Sequence, residues 1–176
     1  MSPSSDLEAE LIRRAAGGDA RAFADVLEPY RERMWAVCLR ITGHRHDAED
    51  ALQDALTAAW RNLARFRGDA RLSTWLHRIA ANAALKQVAR RRETPVEEFP
   101  DLVVDEPGLA SEVVDRDAVA RALALLPPDF RAALVLREYG DLSYEEIAEA
   151  QGVGVQTVKS RLNRARRALG ALLTDA

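Results

Sequence analysis

The stretch LSYEEIAEAQGVGVQTVKSRLNRARRAL, near the end of the chain, holds residues suited to work on a polyanion. Val158, Leu162, Ala165 and Leu169 recur at helical spacing and form one apolar stripe. Opposite it lie Gln156, Lys159, Ser160, Asn163, Arg164 and Arg167, with Thr157 beside them. Cations of this kind neutralise phosphates, and arginine, lysine and amide side chains also match the donor and acceptor pattern of base edges. Just upstream, Ser143 and Glu146 have the S-x-x-E spacing of a capping box, and Gly152 offers a tight turn. A short capped helix, a glycine turn and a longer basic helix describe a helix-turn-helix, whose second helix enters a major groove about 12 Å wide. The bland alternative is a basic helix solvated on one face; the capping box and the turn argue against it.

A second basic block precedes it. From Arg61 to Arg92 the cations face only Asp69. Within the block Trp75, Arg78, Asn82, Lys86 and Arg90 fall on one helical stripe. An aromatic ring, an amide and cations along one face suit a strand with unstacked bases. Two readings of Trp75 stay open, core packing near Leu72 and Ile79 or a stacking platform, and Asn82 taken alone reads as a surface amide. A third face carries Asp50, Gln53, Asp54 and Thr57 on a helix that starts at Asp47. Its charge keeps it off phosphates, so it is either solvated surface, the commoner case, or a seat for a basic partner protein.

Enzyme chemistry finds little footing. His44, His46 and His77 are the only histidines and Cys38 the only cysteine, so no organised metal set and no acid/base cluster is visible. No cofactor, metal or catalytic residue is therefore expected. One cysteine excludes an internal disulfide and fits a reducing cytoplasm. A composition 48% hydrophobic and 30% charged is that of a soluble globular protein. No apolar run approaches the roughly 20 residues of a membrane helix, and polar, acidic Met1 to Glu10 do not read as a secretory signal, so a cytoplasmic protein is expected. The net charge of −3 alone argues against nucleic acid, but its distribution, two basic blocks around an acidic one, argues for it.

Helices must position these residues. Helical periodicity is nearly everywhere and two-residue alternation is absent, which predicts an all-α protein of two small domains joined by an acidic linker. Residues 1–92 form the first domain. Asp19 caps a helix with Phe23, Val26, Leu27, Tyr30, Met34, Val37, Cys38 and Ile41 inside, and Gly43 ends it. The helix from Asp47 turns Ala48, Leu52, Ala55, Leu56, Ala59 and Leu63 inward, and Ser73 caps the basic helix. Residues 93–112, with Pro95, Pro100, Pro107 and Gly108 among acids, read as the linker. Residues 113–176 form the second domain, where Pro128 opens a helix and Gly140–Asp141 makes a turn. The two basic surfaces are thus expected on separate bodies.

At this point two long segments carry a resemblance. HDAEDALQDALTAAWRNLARFRGDARLSTWLHRIAANAALKQVARRR resembles region two of the extracytoplasmic-function (ECF) sigma factors of bacterial RNA polymerase, in the sigma-70 family. LPPDFRAALVLREYGDLSYEEIAEAQGVGVQTVKSRLNRARRAL resembles their region four. The helix-turn-helix is common to many regulators, whereas DAEDALQDAL and FRGDARLSTWLHRIAAN are far more specific. The resemblance implies a transcription initiation factor without catalysis of its own. Its partners would be core RNA polymerase, through the β′ clamp helices and the β flap, promoter DNA, and a cognate anti-sigma factor that in this family often sequesters the chain at the membrane. It implies docking of the β′ clamp helices on Asp47, Asp50, Gln53 and Asp54. It assigns Phe66, Arg67, Gly68, Asp69 and Arg71, with Trp75, Arg78, Asn82 and Lys86, to the minus-ten element, and Gln156, Thr157, Lys159, Ser160, Asn163, Arg164 and Arg167 to the minus-thirty-five element. Extruding a minus-ten base costs a few kcal/mol, which a fitted pocket must offset.

The chain departs from the family pattern at Gly154 and Gln156, where serine or proline and then glycine are frequent. Three other classes compete. A stand-alone helix-turn-helix activator leaves the first domain's faces unused, a nucleic-acid enzyme lacks its cluster, and a structural interaction protein needs no basic blocks.

Overall fold

The computed structural model describes residues 3–93 and 110–174. Eight α-helices account for nearly all of them: α1 (Pro3–Ala16), α2 (Ala20–Thr42), α3 (Arg45–Asn62), α4 (Leu72–Glu93), α5 (Ala110–Leu125), α6 (Pro128–Glu138), α7 (Tyr144–Gln151) and α8 (Val155–Thr174), with one 3-10 turn at Leu63–Arg65. The fold is all-α among the described residues. Most of the expected linker falls outside them, and α5 begins at Ala110, ahead of the expected resumption near Val113.

Local signals set the boundaries. The Asp19 carboxylate accepts from the Arg21 and Ala22 N–H groups at the start of α2. Those bonds and Arg14 hold its pKa below the usual carboxylate range. Gly43, with φ 74°, ends the helix in the left-handed conformation. Pro128 occupies the first turn of α6, where its missing N–H costs nothing. One cap differs from expectation. α4 starts at Leu72, and the Trp75 N–H bonds to the Arg71 carbonyl, so Ser73 lies within the first turn instead of capping it.

The core gathers Val26, Leu27, Met34, Val37, Cys38 and Ile41 of α2 against α3 and α4. Alanine is frequent among the fully buried residues of these helices: Ala48, Ala51, Ala55 and Ala59 on α3 and Ala80, Ala81 and Ala84 on α4, with Leu52, Leu56, Leu85 and Val88 partly buried against the same core. Cys38 sits in the core and donates its S–H to the Ala80 carbonyl; burial pushes the thiol up to about 12. From the second half Leu123, Leu126, Leu134, Val135, Leu142, Ile147, Val158, Leu162 and Ala165 join the same buried cluster.

The two halves do not stand apart as separate bodies. α5 and α6 pack on α2, and α6 and α7 on α4. Arg131 of α6 is buried and donates to three carbonyls: Ile41 across the boundary at 2.7 Å, and Ala124 and Leu126 at the end of α5 at 2.8 and 3.1 Å. Arg40 of α2 lies 3.9 Å over the Tyr139 ring. His77 of α4 meets the Gly140 carbonyl at 3.0 Å. These pairings join residues 63 to 99 positions apart (140 − 77 and 139 − 40), beyond the reach of any periodicity argument.

Candidate nucleic-acid interface

The α7–turn–α8 segment is fixed by its capping box. The Ser143 hydroxyl accepts from the Glu146 N–H at 3.1 Å, and the Glu146 carboxylate accepts from the Ser143 N–H at 2.7 Å. Gly152 closes the turn with φ 63°, a left-handed conformation that glycine adopts without strain. From there α8 buries Val158, Leu162 and Ala165, with Leu169 half-buried. Gln156, Thr157, Lys159, Ser160, Asn163, Arg164 and Arg167 are all exposed.

The cations of α8 are sorted by face. Arg161 donates to Gln151 at 2.7 Å and to Asp129 at 3.1 Å, and Arg166 pairs with Glu138 at 2.9 Å, so both tie the helix to its own domain. Lys159, Arg164 and Arg167 have no such partner among the described residues and point outward. Helical spacing already places Lys159, Arg164 and Arg167 on the outward face; the packing adds that Arg161 and Arg166 are held by residues of the same domain.

On α4 the stripe divides in the same manner. Asn82 and Lys86 are exposed and unpaired among the described residues. Arg78 is half-buried and forms an ion pair with Glu149 of α7, so the second domain holds one member of the stripe. Trp75 is half-buried, its ring centroid 5.3 Å from that of Phe66 at a tilt of 48°, so in the free chain it packs. Arg67, Gly68, Asp69 and Arg71 form an exposed loop before α4, and Gly68 has φ 76°.

The acidic face of α3 is not independent of α4. Arg91 donates to Asp47 at 2.9 Å, Gln87 to Asp54 at 3.3 Å, and Arg90 lies 3.8 Å from Asp54. Asp50 and Gln53 remain exposed, with side chains unpaired among the described residues. The expected four-residue face therefore splits into two residues that brace the helices and two that are open. No group of three or more potential metal ligands occurs among the described residues, and no described helix is long and apolar enough to cross a membrane.

An all-helical chain with outward polar and cationic faces on α4 and α8 has the surface of a nucleic-acid-binding protein. Residues 26–94 match the sigma-70 region 2 family and residues 116–169 match sigma-70 region 4. The chain is 32% identical to the ECF RNA polymerase sigma factor SigW of Bacillus subtilis, over 93% of this chain and 95% of that one. It is 37% identical to the ECF sigma factor SigM of Mycobacterium tuberculosis, over 94% and 84%. Among solved structures it resembles the sigma factor RpoE bound to the anti-sigma factor NepR from Bartonella quintana, with a TM-score of 0.75 at 27% identity, over 88% of this chain and 98% of that one. The chain belongs to the ECF sigma factors of the sigma-70 family. It is a transcription initiation factor, with regions two and four serving RNA polymerase and the minus-ten and minus-thirty-five promoter elements.

Proposed function

We propose that the outward face of α8 reads the minus-thirty-five element through Gln156, Thr157, Lys159, Ser160, Asn163, Arg164 and Arg167, with α7 and α8 acting as a helix-turn-helix. The observation that carries this is the sorting of cations: Arg161 and Arg166 are spent on the domain, while Lys159, Arg164 and Arg167 are exposed and unpaired. The loop 66–71 with Asn82 and Lys86 holds a displaced base of the minus-ten element. Asp50 and Gln53 receive the β′ clamp helices of the polymerase, with Asp47 and Asp54 bracing α3 beneath them. The chain performs no catalysis itself and, like the Bartonella relative, is held by an anti-sigma factor. It works in the cytoplasm, and a membrane-bound anti-sigma factor would sequester it at the membrane.

Lys159→Ala and Arg164→Ala test the reading by promoter binding of the full chain with core polymerase across a salt series. A base contact costs about 1–3 kcal/mol and relaxes preference at one position; a phosphate contact weakens all sequences alike and lowers the salt slope by about 1. Unchanged binding and an unchanged slope in both variants would remove α8 from the groove.

A further inference from the structure

The packing of the two halves turns on one side chain that no promoter-reading role uses. His77 of α4 is 1% exposed, and its Nδ1 lies 3.0 Å from the Gly140 carbonyl, in the loop that follows α6. A carbonyl oxygen only accepts, so Nδ1 carries the ring proton. Nε2 is then the bare nitrogen, and it is buried with no hydrogen-bond partner among the described residues. A second proton on the ring would bury a positive charge and an N–H with no acceptor among the described residues. Gly140 cannot readily yield its place, because a Cβ there would stand 2.7 Å from the Leu136 carbonyl.

The charges around the ring come from every element packed on it. Burial is the main force holding its pKa below the ordinary value, and Arg33 of α2 adds repulsion. The Gly140 bond and Asp141 of the same loop act in the opposite direction. On α4 itself Arg78 is paired with Glu149 of α7. Arg40 of α2 is engaged over Tyr139, and Arg137 of α6 donates to the Leu142 carbonyl. The Cys38 thiol stays neutral. Among the described residues no carboxylate hydrogen-bonds Nε2.

We propose that the interface between the two halves is a proton-operated latch, closed over neutral His77 and opened when the ring is protonated. Opening returns the imidazole to water, where it binds protons near its ordinary value of 6.5. Below that pH the open form holds more protons than the closed one. The closing constant therefore falls by up to about tenfold per pH unit as pH drops below about 6.5, and it is independent of pH well above it. The consequence for initiation rests on the promoter reading given above. Elements centred about 25 base pairs apart are separated by about 85 Å at 3.4 Å per step. A compact chain of this length has a radius of gyration of only about 16 Å, so the closed form cannot reach both.

Small-angle X-ray scattering of the free full chain from pH 8.0 to 5.5, with far-UV circular dichroism on the same samples, tests the latch. The wild-type radius of gyration should rise below about pH 6.5 while helicity is retained. His77→Gln, whose amide can still donate to Gly140, and His77→Phe, which keeps an apolar ring, should each give a radius that does not change with pH. A variant already open at pH 8.0 meets that expectation as well, provided its radius stays constant. A wild-type radius unchanged down to pH 5.5 overturns the proposal, as does a rise accompanied by loss of helix, or a pH response in both variants equal to that of wild type. Because no promoter or polymerase is present, failure of the promoter assignments leaves this result untouched.

Discussion

Arg131→Ala offers the sharpest test of how the halves hold together. Three carbonyls lie 2.7–3.1 Å from the guanidinium, and the side chain is 7% exposed. Hydrogen bonds from a charged donor contribute roughly 1.5–3 kcal/mol each, so simple addition gives about 4.5–9 kcal/mol. Part of that returns: the guanidinium no longer has to be desolvated, and the Ala124 and Leu126 carbonyls close a helix that water can reach once the side chain is gone. A net loss of about 1–3 kcal/mol is expected, the cost of leaving a buried neutral acceptor without its donor. Two of the three bonds lie within the second half and one crosses to α2, so the second half should weaken more than the first.

The chain supplies its own reporter for that asymmetry. Trp35, Trp60 and Trp75 are its three tryptophans, on α2, α3 and α4, so fluorescence reports the first half while circular dichroism reports both. In urea the two signals of the wild type should move together. In Arg131→Ala the dichroism midpoint should fall ahead of the fluorescence midpoint. Arg131→Lys, which places one point charge among the three acceptors, should lie between the two. A shift in Arg131→Ala below about 1 kcal/mol would show that the guanidinium is not what ties α5, α6 and α2 together.

Asn82→Ala should slow promoter opening more than closed-complex binding, because duplex DNA hides the base edge that the amide would meet. Templates mismatched over the minus-ten region remove a cost of a few kcal/mol and should restore much of the activity; permanganate footprinting would reveal equal opening on matched templates if the pocket lies elsewhere. Asp50→Lys should weaken capture of core polymerase in a pull-down without loss of helicity, since the residue is exposed and unpaired among the described residues. Wild-type capture by that variant would move the docking face off α3.

Much of the fold was legible because it is written in local signals. The Asp19 cap, the Ser143–Glu146 box, Gly43, Gly152 and Pro128 each act over four residues or fewer, and the apolar stripes of α2, α3 and α8 repeat at helical spacing. The candidate faces were legible for the same reason, as residue types on one side of a helix. Partnership across the fold was not. Periodicity places Arg161 and Arg164 on one helix but does not say that Asp129 waits beside the first alone. It assigns Asp54 and Asp50 to one acidic face without showing that Arg90 and Gln87 reach the former. Arg131 reads as an ordinary surface cation, and His77 as one more residue between Leu76 and Arg78; their roles depend on carbonyls brought in from distant segments.

The seven fully buried alanines of α3 and α4 bear on a distance. Helix axes approach as closely as the side chains between them allow, with separations of about 8–10 Å in general. A buried methyl group leaves little to compress or repack, and a larger residue in its place must displace its neighbours. One of those helices carries Asp50 and Gln53 on its outer face, and the other carries Asn82 and Lys86. On the assignments proposed above, the spacing between the polymerase-facing and the promoter-facing surfaces depends on how closely those buried alanines let the helices pack. Ala55→Leu or Ala84→Leu would alter neither face chemically, yet would move one with respect to the other. Those alanines work as a gauge block, and tolerance to substitution at them should be lower than their modest apolar area implies.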